Sequence, residues 1–109
     1  MKNDIKRVVE LGKLAIALRD LDNDIDLELH KNELYMGYID VMYEDKLRDL
    51  QLVEEVRHRM ANLLRLIDKV CTIEQKVIAY NDFDLMWDCE LRKGKMVSQM
   101  EALRDKYEF

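Results

Sequence analysis

The 109-residue chain contains no proline and only three glycines. A sheet protein reverses direction every few residues, and Gly and Pro are the residues that make tight reversals sterically easy. Their scarcity argues against an all-β fold, while the abundance of Leu, Met, Glu, Lys and Arg, all good helix formers, points to helices. Hydrophobic residues make up 49% of the chain, which is enough for a core, since disordered chains combine low hydrophobicity with high net charge. The length fits one domain spanning 1–109, because domains of this size hold a single core. The expected architecture is an all-α bundle of four or five helices around a long central helix.

Hydrophobic periodicity places the helices. Between residues 45 and 71, Leu47, Leu50, Val53, Met60, Leu63, Leu64, Ile67 and Val70 recur at spacings of three and four, the pattern of an amphipathic helix. From Asp4 to Arg19, Ile5, Val8, Val9, Leu11, Ala15 and Leu18 behave similarly. The stretch 24–30 alternates strictly between apolar and polar residues, as a strand would. However, Leu18, Leu21, Ile25, Leu29, Met36, Ile39 and Tyr43 also share a stripe at about 100° per residue. Aspartate is a poor strand former and suits the first turn of a helix, so helix is the preferred reading. The last helix is expected from about Asp84 to Lys106, interrupted at Gly94.

A shift of 62 positions superimposes residues 16–35 on 78–97 with eight identities in twenty, among them Asp20/Asp82, Asp22/Asp84, Asp26/Asp88 and Glu28/Glu90. Average composition gives roughly one. The match predicts a duplicated unit of helix, Asp-apolar-Asp corner and second element, with corners at Asp20-Leu21-Asp22 and Asp82-Phe83-Asp84.

Charge is unevenly distributed within a formal net of −5: residues 20–45 hold nine acidic side chains and one lysine, whereas residues 1–19 sum to +3. A net negative chain is poorly suited to direct nucleic-acid binding, whose affinity comes from Lys and Arg neutralising phosphates. The longest apolar run, Leu14 to Leu18, is five residues, against the roughly 20 needed to cross a bilayer. With no secretory leader evident, a cytoplasmic location without membrane contact is expected. Cys71 and Cys89 are eighteen positions apart, which fits neither a CxxC redox pair nor a zinc knuckle, so both are read as small core or boundary residues with reduced thiols.

Two patterns bear on metals. Asp22, Asp24, Asp26 and Glu33 occupy positions 1, 3, 5 and 12 of a segment that resembles an EF-hand calcium loop, where a wrapped backbone turns alternate carboxylates toward the ion. Position 6, which needs glycine for its sharp turn, is Leu27. Glu55-Val56-Arg57-His58 is an ExxH, and His30 with Glu33 reverses it. An antiparallel hairpin turning near Glu44 would bring the two level, but a di-iron bundle needs a second ExxH and further inward glutamates. The pairing is therefore read as one of surface residues, and no metal or cofactor site is predicted. Glycine-rich phosphate loops, a GxSxG elbow and ExxE patterns are all missing, which favours a non-enzymatic role.

The candidate partner-binding residues are the acidic and aromatic side chains Asp22, Asp24, Asp26, Glu28, Tyr35 and Tyr38, together with Trp87. Tyr and Trp beside charge are the residue types that dominate binding hot spots. The expected function is a cytoplasmic interaction protein that regulates or inhibits a basic or nucleic-acid-binding protein partner through this surface, steered by charge. One specific version is an inhibitor of the kind phages direct at host enzymes, its carboxylates standing in for phosphates. A calcium-responsive module is the alternative from a different class. Apolar residues on more than one side of the helices favour a homodimer.

Overall fold

A computed structural model describes residues 2–42 and 50–106 of the chain. Among these residues there are three helices, α1 (Lys2–Met42), α2 (Leu50–Ile78) and α3 (Phe83–Lys106), and no strand. The all-α expectation holds, and the expectation of four or five helices is corrected to three. Each helix packs against the other two. Contacts of α1 with α3 ascend together, as in Asp22 with Arg92 and Asn32 with Gln99, so these helices run parallel. Those of α1 with α2 run in opposite order, Glu28 with Asn62 and Tyr35 with Glu55, so α2 is antiparallel to both. The bundle measures 64 × 22 × 18 Å, with a radius of gyration of 17.6 Å. A compact globule of this length has about 13 Å, so the protein is a rod. None of the described helices is long and apolar enough to cross a membrane.

The interior follows one rule in all three helices. In α1 the inward positions are Leu11, Leu14, Leu18, Leu21, Ile25, Glu28, Asn32, Tyr35 and Ile39, alternately three and four residues apart. In α2 they are Leu52, Val56, Arg59, Leu63, Leu66, Val70, Ile73 and Val77, and in α3 Leu85, Cys89, Arg92, Met96, Gln99, Leu103 and Lys106. This is the a/d repeat of coiled coils, 3.5 residues per turn, which keeps a seam facing its neighbours over many turns. It also shows where periodicity read by hydrophobicity went out of phase. Val53, Met60 and Ile67 flank the α2 seam instead of forming it, and Leu64 is exposed, because Arg59 holds the seam position beside Met60. In α1, Ile5, Val8 and Val9 are exposed, while Leu14 is in the core. Tyr43, Leu47 and the Glu44-Asp45 turn lie outside the described residues.

The duplication does not extend to structure. Asp82 is a true corner residue: its Oδ1 accepts the backbone N–H of Leu85 at 3.0 Å and caps α3. Just before it Asn81 has φ 56°, the left-handed conformation that Asn tolerates better than most residues. The carbonyl of Tyr80 accepts two bonds from the Arg7 guanidinium, at 3.2 and 3.1 Å, which ties the start of α1 to this corner. In the other copy Arg19 stands where Asn81 would be, and Asp20-Leu21-Asp22 lies inside unbroken α1. Leu18, Leu21 and Ile25 stay in seam register across the acidic run, so tertiary packing carries the helix through poor helix formers. α3 likewise passes through the exposed Gly94 without interruption.

Leu63 and Leu64 separate the two phases experimentally. Leu63→Ala is expected to lower the urea unfolding free energy by about 2–5 kcal/mol, because it opens a cavity in the centre of the bundle. Leu64→Ala should change it by less than about 0.5 kcal/mol, and the reverse order would refute the seam assignment.

Candidate functional site: the polar layers and the outer face of α1

Toward the end of the rod where α1 finishes, a polar layer crosses the bundle with one residue from each helix. Asn32 is fully buried and Gln99 nearly so, a burial that polar side chains tolerate only when hydrogen-bonded. Asn32 Nδ2 donates to Gln99 Oε1 at 2.8 Å, and Gln99 Nε2 donates to the Leu29 carbonyl at 2.7 Å. Arg59 Nη1 donates to Asn32 Oδ1 at 3.2 Å. The Arg59 guanidinium lies 4.0 Å above the Tyr35 ring, a cation–π contact. Tyr35 OH donates to Glu55 Oε2 at 2.6 Å and so carries the network to the surface.

Ion pairs repeat this arrangement on either side. Arg92 grips Asp22 with two bonds, Nε to Oδ1 at 2.6 Å and Nη2 to Oδ2 at 3.0 Å, and its Nη1 donates to the Asp88 carbonyl at 2.9 Å. These bonds and the guanidinium charge hold the Asp22 carboxyl below the usual carboxylate range. Lys93 joins Glu74 of α2, at 2.7 Å, to Glu90 of its own helix, at 2.8 Å. Both carboxylates push the Lys93 ammonium pKa up, and Lys93 draws that of Glu90 down. Burial, reinforced by nearby Glu74, lifts the Cys89 thiol to about 11 and keeps it protonated at neutral pH. Toward the end of α3, Lys106 pairs with Asp40.

The predicted binding residues therefore divide. Asp22, Glu28 and Tyr35 belong to the bundle: Asp22 holds Arg92, Glu28 accepts a bond from Asn62 Nδ2 at 3.4 Å, and Tyr35 is buried. Asp24, Asp26, Tyr38 and Trp87 face outward. They do not form one patch, because Trp87 lies on α3 near the corner end and Tyr38 near the far end of α1. The calcium-loop pattern falls within continuous helix, where its carboxylates point around the axis instead of into one cage. The ExxH pairing is a surface feature, with His30 and His58 both exposed and Glu55 engaged by Tyr35. Among the described residues, no three His, Cys, Asp or Glu side chains gather where they could hold a metal ion.

Two features escaped the sequence reading. One is the polar layer, which a strict three-four grid along α1 would have exposed by placing Asn32 among leucines. The other is the outer side of α1, where Leu27, Leu34, Tyr38 and Val41 are 53%, 63%, 51% and 78% exposed. An open groove of about 580 Å³ runs between this side and α2, lined by Glu28, Lys31, Glu54, Glu55, His58 and Arg59 among others. No protein-family model matches the chain, and neither curated proteins nor solved structures give a significant match.

Two measurements test these clamps. Asn32→Ala leaves Gln99 Oε1 and Arg59 Nη1 without the partner they have in Asn32 and should cost about 1–3 kcal/mol in chemical unfolding. Replacing Asn32, Gln99 and Arg59 together by Leu, Leu and Met should recover most of that loss, since an apolar layer needs no partners. The second is pH. A carboxyl with a lowered native pKa adds stability above its unfolded value, ~3.9, and loses it as pH falls through the native value. The stability gap between wild type and Asp22→Asn should thus be present at neutral pH and close in acid. It should also be modest, because the Asp22 side chain is 37% exposed.

Proposed function

We propose that the protein is a non-enzymatic interaction protein that regulates or inhibits a macromolecular partner, basic or nucleic-acid-binding in character, through the acidic outer surface of α1. One observation carries this reading. Asp20, Asp24, Asp26 and Glu33 stand exposed with no ion-pair or hydrogen-bond partner among the described residues, on the same helix that uses Asp22, Glu28 and Asp40 to hold the bundle. Unpaired carboxylates concentrated on one rigid helix set up a field that steers cations and falls away with salt. Tyr38 gives this surface an amphipathic anchor, and Trp87 gives the corner end another. A cytoplasmic setting is part of the proposal. The charge-mimic inhibitor is its narrower form, in which the partner's own ligand is nucleic acid.

The decisive experiment is capture from a lysate of the native source with wild type and with Asp24→Asn/Asp26→Asn/Tyr38→Ala, which spares the structural Asp22. A partner retained at low salt, released at high salt and lost in the variant is the expected result. Displacement of that partner by DNA or RNA would favour the charge-mimic form. Capture that is indifferent to both salt and variant would overturn the proposal.

A further inference from the structure

We infer that the outer face of α1 is a second coiled-coil seam, and that its occupant is a basic amphipathic helix of a partner protein. The inference rests on the interaction reading above and names the surface and the shape of the partner. Leu27, Lys31, Leu34, Tyr38 and Val41 are spaced four, three, four and three residues apart, the same alternation that builds the interior, but displaced to the side of α1 that the other two helices leave uncovered. Single exposed leucines are ordinary on a protein surface. Four apolar or aromatic side chains in heptad register, each more than half exposed, make a stripe that one helix can cover from end to end. It extends about 21 Å at 1.5 Å per residue, roughly four turns.

Charge selects the occupant. Asp20 and Asp24 continue the two columns of the stripe toward the start of α1, and Glu28, Glu54 and Glu55 line the groove between the stripe and α2, outnumbering Lys31 and Arg59 there. Lys31 is the one cation in the stripe, and a polar residue at a seam position sets register in coiled coils. A second copy of this chain would bring an equally acidic border against this one, and like charges facing across an interface disfavour the pairing. An anionic membrane would be repelled for the same reason. A helix with apolar residues at three-four spacing, Lys and Arg on its flanks and one acidic residue facing Lys31 satisfies both the stripe and its border. Such a helix would convert the three-helix rod into a four-helix bundle.

The test uses the full chain and a fluorescent synthetic peptide of about 18 residues, enough to span the seam, with Leu at three-four spacing, Lys and Arg flanks and one Glu in its apolar stripe. A second peptide carries Glu in place of the basic flanks. Fluorescence anisotropy should give saturable binding of the basic peptide, at least about tenfold tighter than the acidic one at low salt. Leu27→Ser/Leu34→Ser should weaken binding by about tenfold or more without changing the circular dichroism or the urea midpoint, because neither residue is in the core. No binding, or equal binding by the variant, would overturn the inference. So would a wild-type dimer in sedimentation that the variant abolishes, since the seam would then belong to a second copy. Lysate capture separates the two levels of the argument. A salt-sensitive partner that the seam variant retains overturns the seam and leaves the interaction reading standing, whereas no partner for either protein overturns the reading itself.

Discussion

The layer in which Asn32, Arg59 and Gln99 meet fixes how the three helices stand against one another. An a/d repeat built only from Leu, Ile and Val is nearly degenerate, because sliding a helix by one heptad restores most of its apolar contacts. Polar layers lift that degeneracy. In α3 three successive positions of one seam column are Arg92, Gln99 and Lys106, and they meet Asp22, Asn32 and Asp40 of α1 in order. Moving α3 one heptad along α1 would separate all three pairs and leave charged or amide groups facing the wrong partner. Leaving the buried Asn32 and Gln99 amides unpaired costs more than their bond contributes when made, and the partly exposed pairs at Asp22 and Asp40 add smaller penalties. The corner contact of Arg7 with the Tyr80 carbonyl marks the same register from the other end.

Those polar positions also explain how much could be read from the sequence. Helical content, the existence of the last helix and the absence of a long apolar span follow from composition and spacing, which depend on no particular contact. Helix number does not. The aspartates at 20, 22, 24 and 26 resemble a corner in isolation. What keeps α1 continuous is that Leu18, Leu21 and Ile25 stay in seam phase and that Arg92, far away in sequence, binds Asp22. At the opposite corner Asn81 takes the left-handed turn that Arg19 does not. On α2 a count of hydrophobic residues alone steps over Arg59 to Met60, which turns part of the expected face by one position. A grid that allows polar residues at the seam recovers α1 from Leu11 to Ile39 and α2 from Leu52 to Val77.

The candidate site was legible by residue type and not by role. Composition and spacing draw the eye to the acidic and aromatic residues, yet sequence does not say which carboxylate meets a guanidinium across the bundle. Asp22 and Asp24 are two positions apart and nearly opposite on the helix, so one closes a clamp and the other faces solvent. Tyr35 and Tyr38 divide similarly, one against Arg59 in the interior and one half exposed.

The outward carboxylates carry a local cost that the bundle leaves uncompensated. Asp is among the weaker helix formers, and like charges four positions apart, as at Asp20/Asp24 and Asp22/Asp26, destabilise a helix by a few tenths of a kcal/mol each. For Asp22 the offset is visible in Arg92. For Asp20, Asp24 and Asp26 no cation among the described residues supplies one, although α2 and α3 contain Lys and Arg that could have been placed there. Asp20 and Asp24 continue the columns of the apolar stripe from Leu27 to Val41, so one side of α1 joins unpaired carboxylates to exposed apolar side chains. Cations flanking an apolar helix answer both together. Salt dependence and apolar substitution would then act on the same binding event, and that coupling separates a docking seam from an ordinary acidic surface.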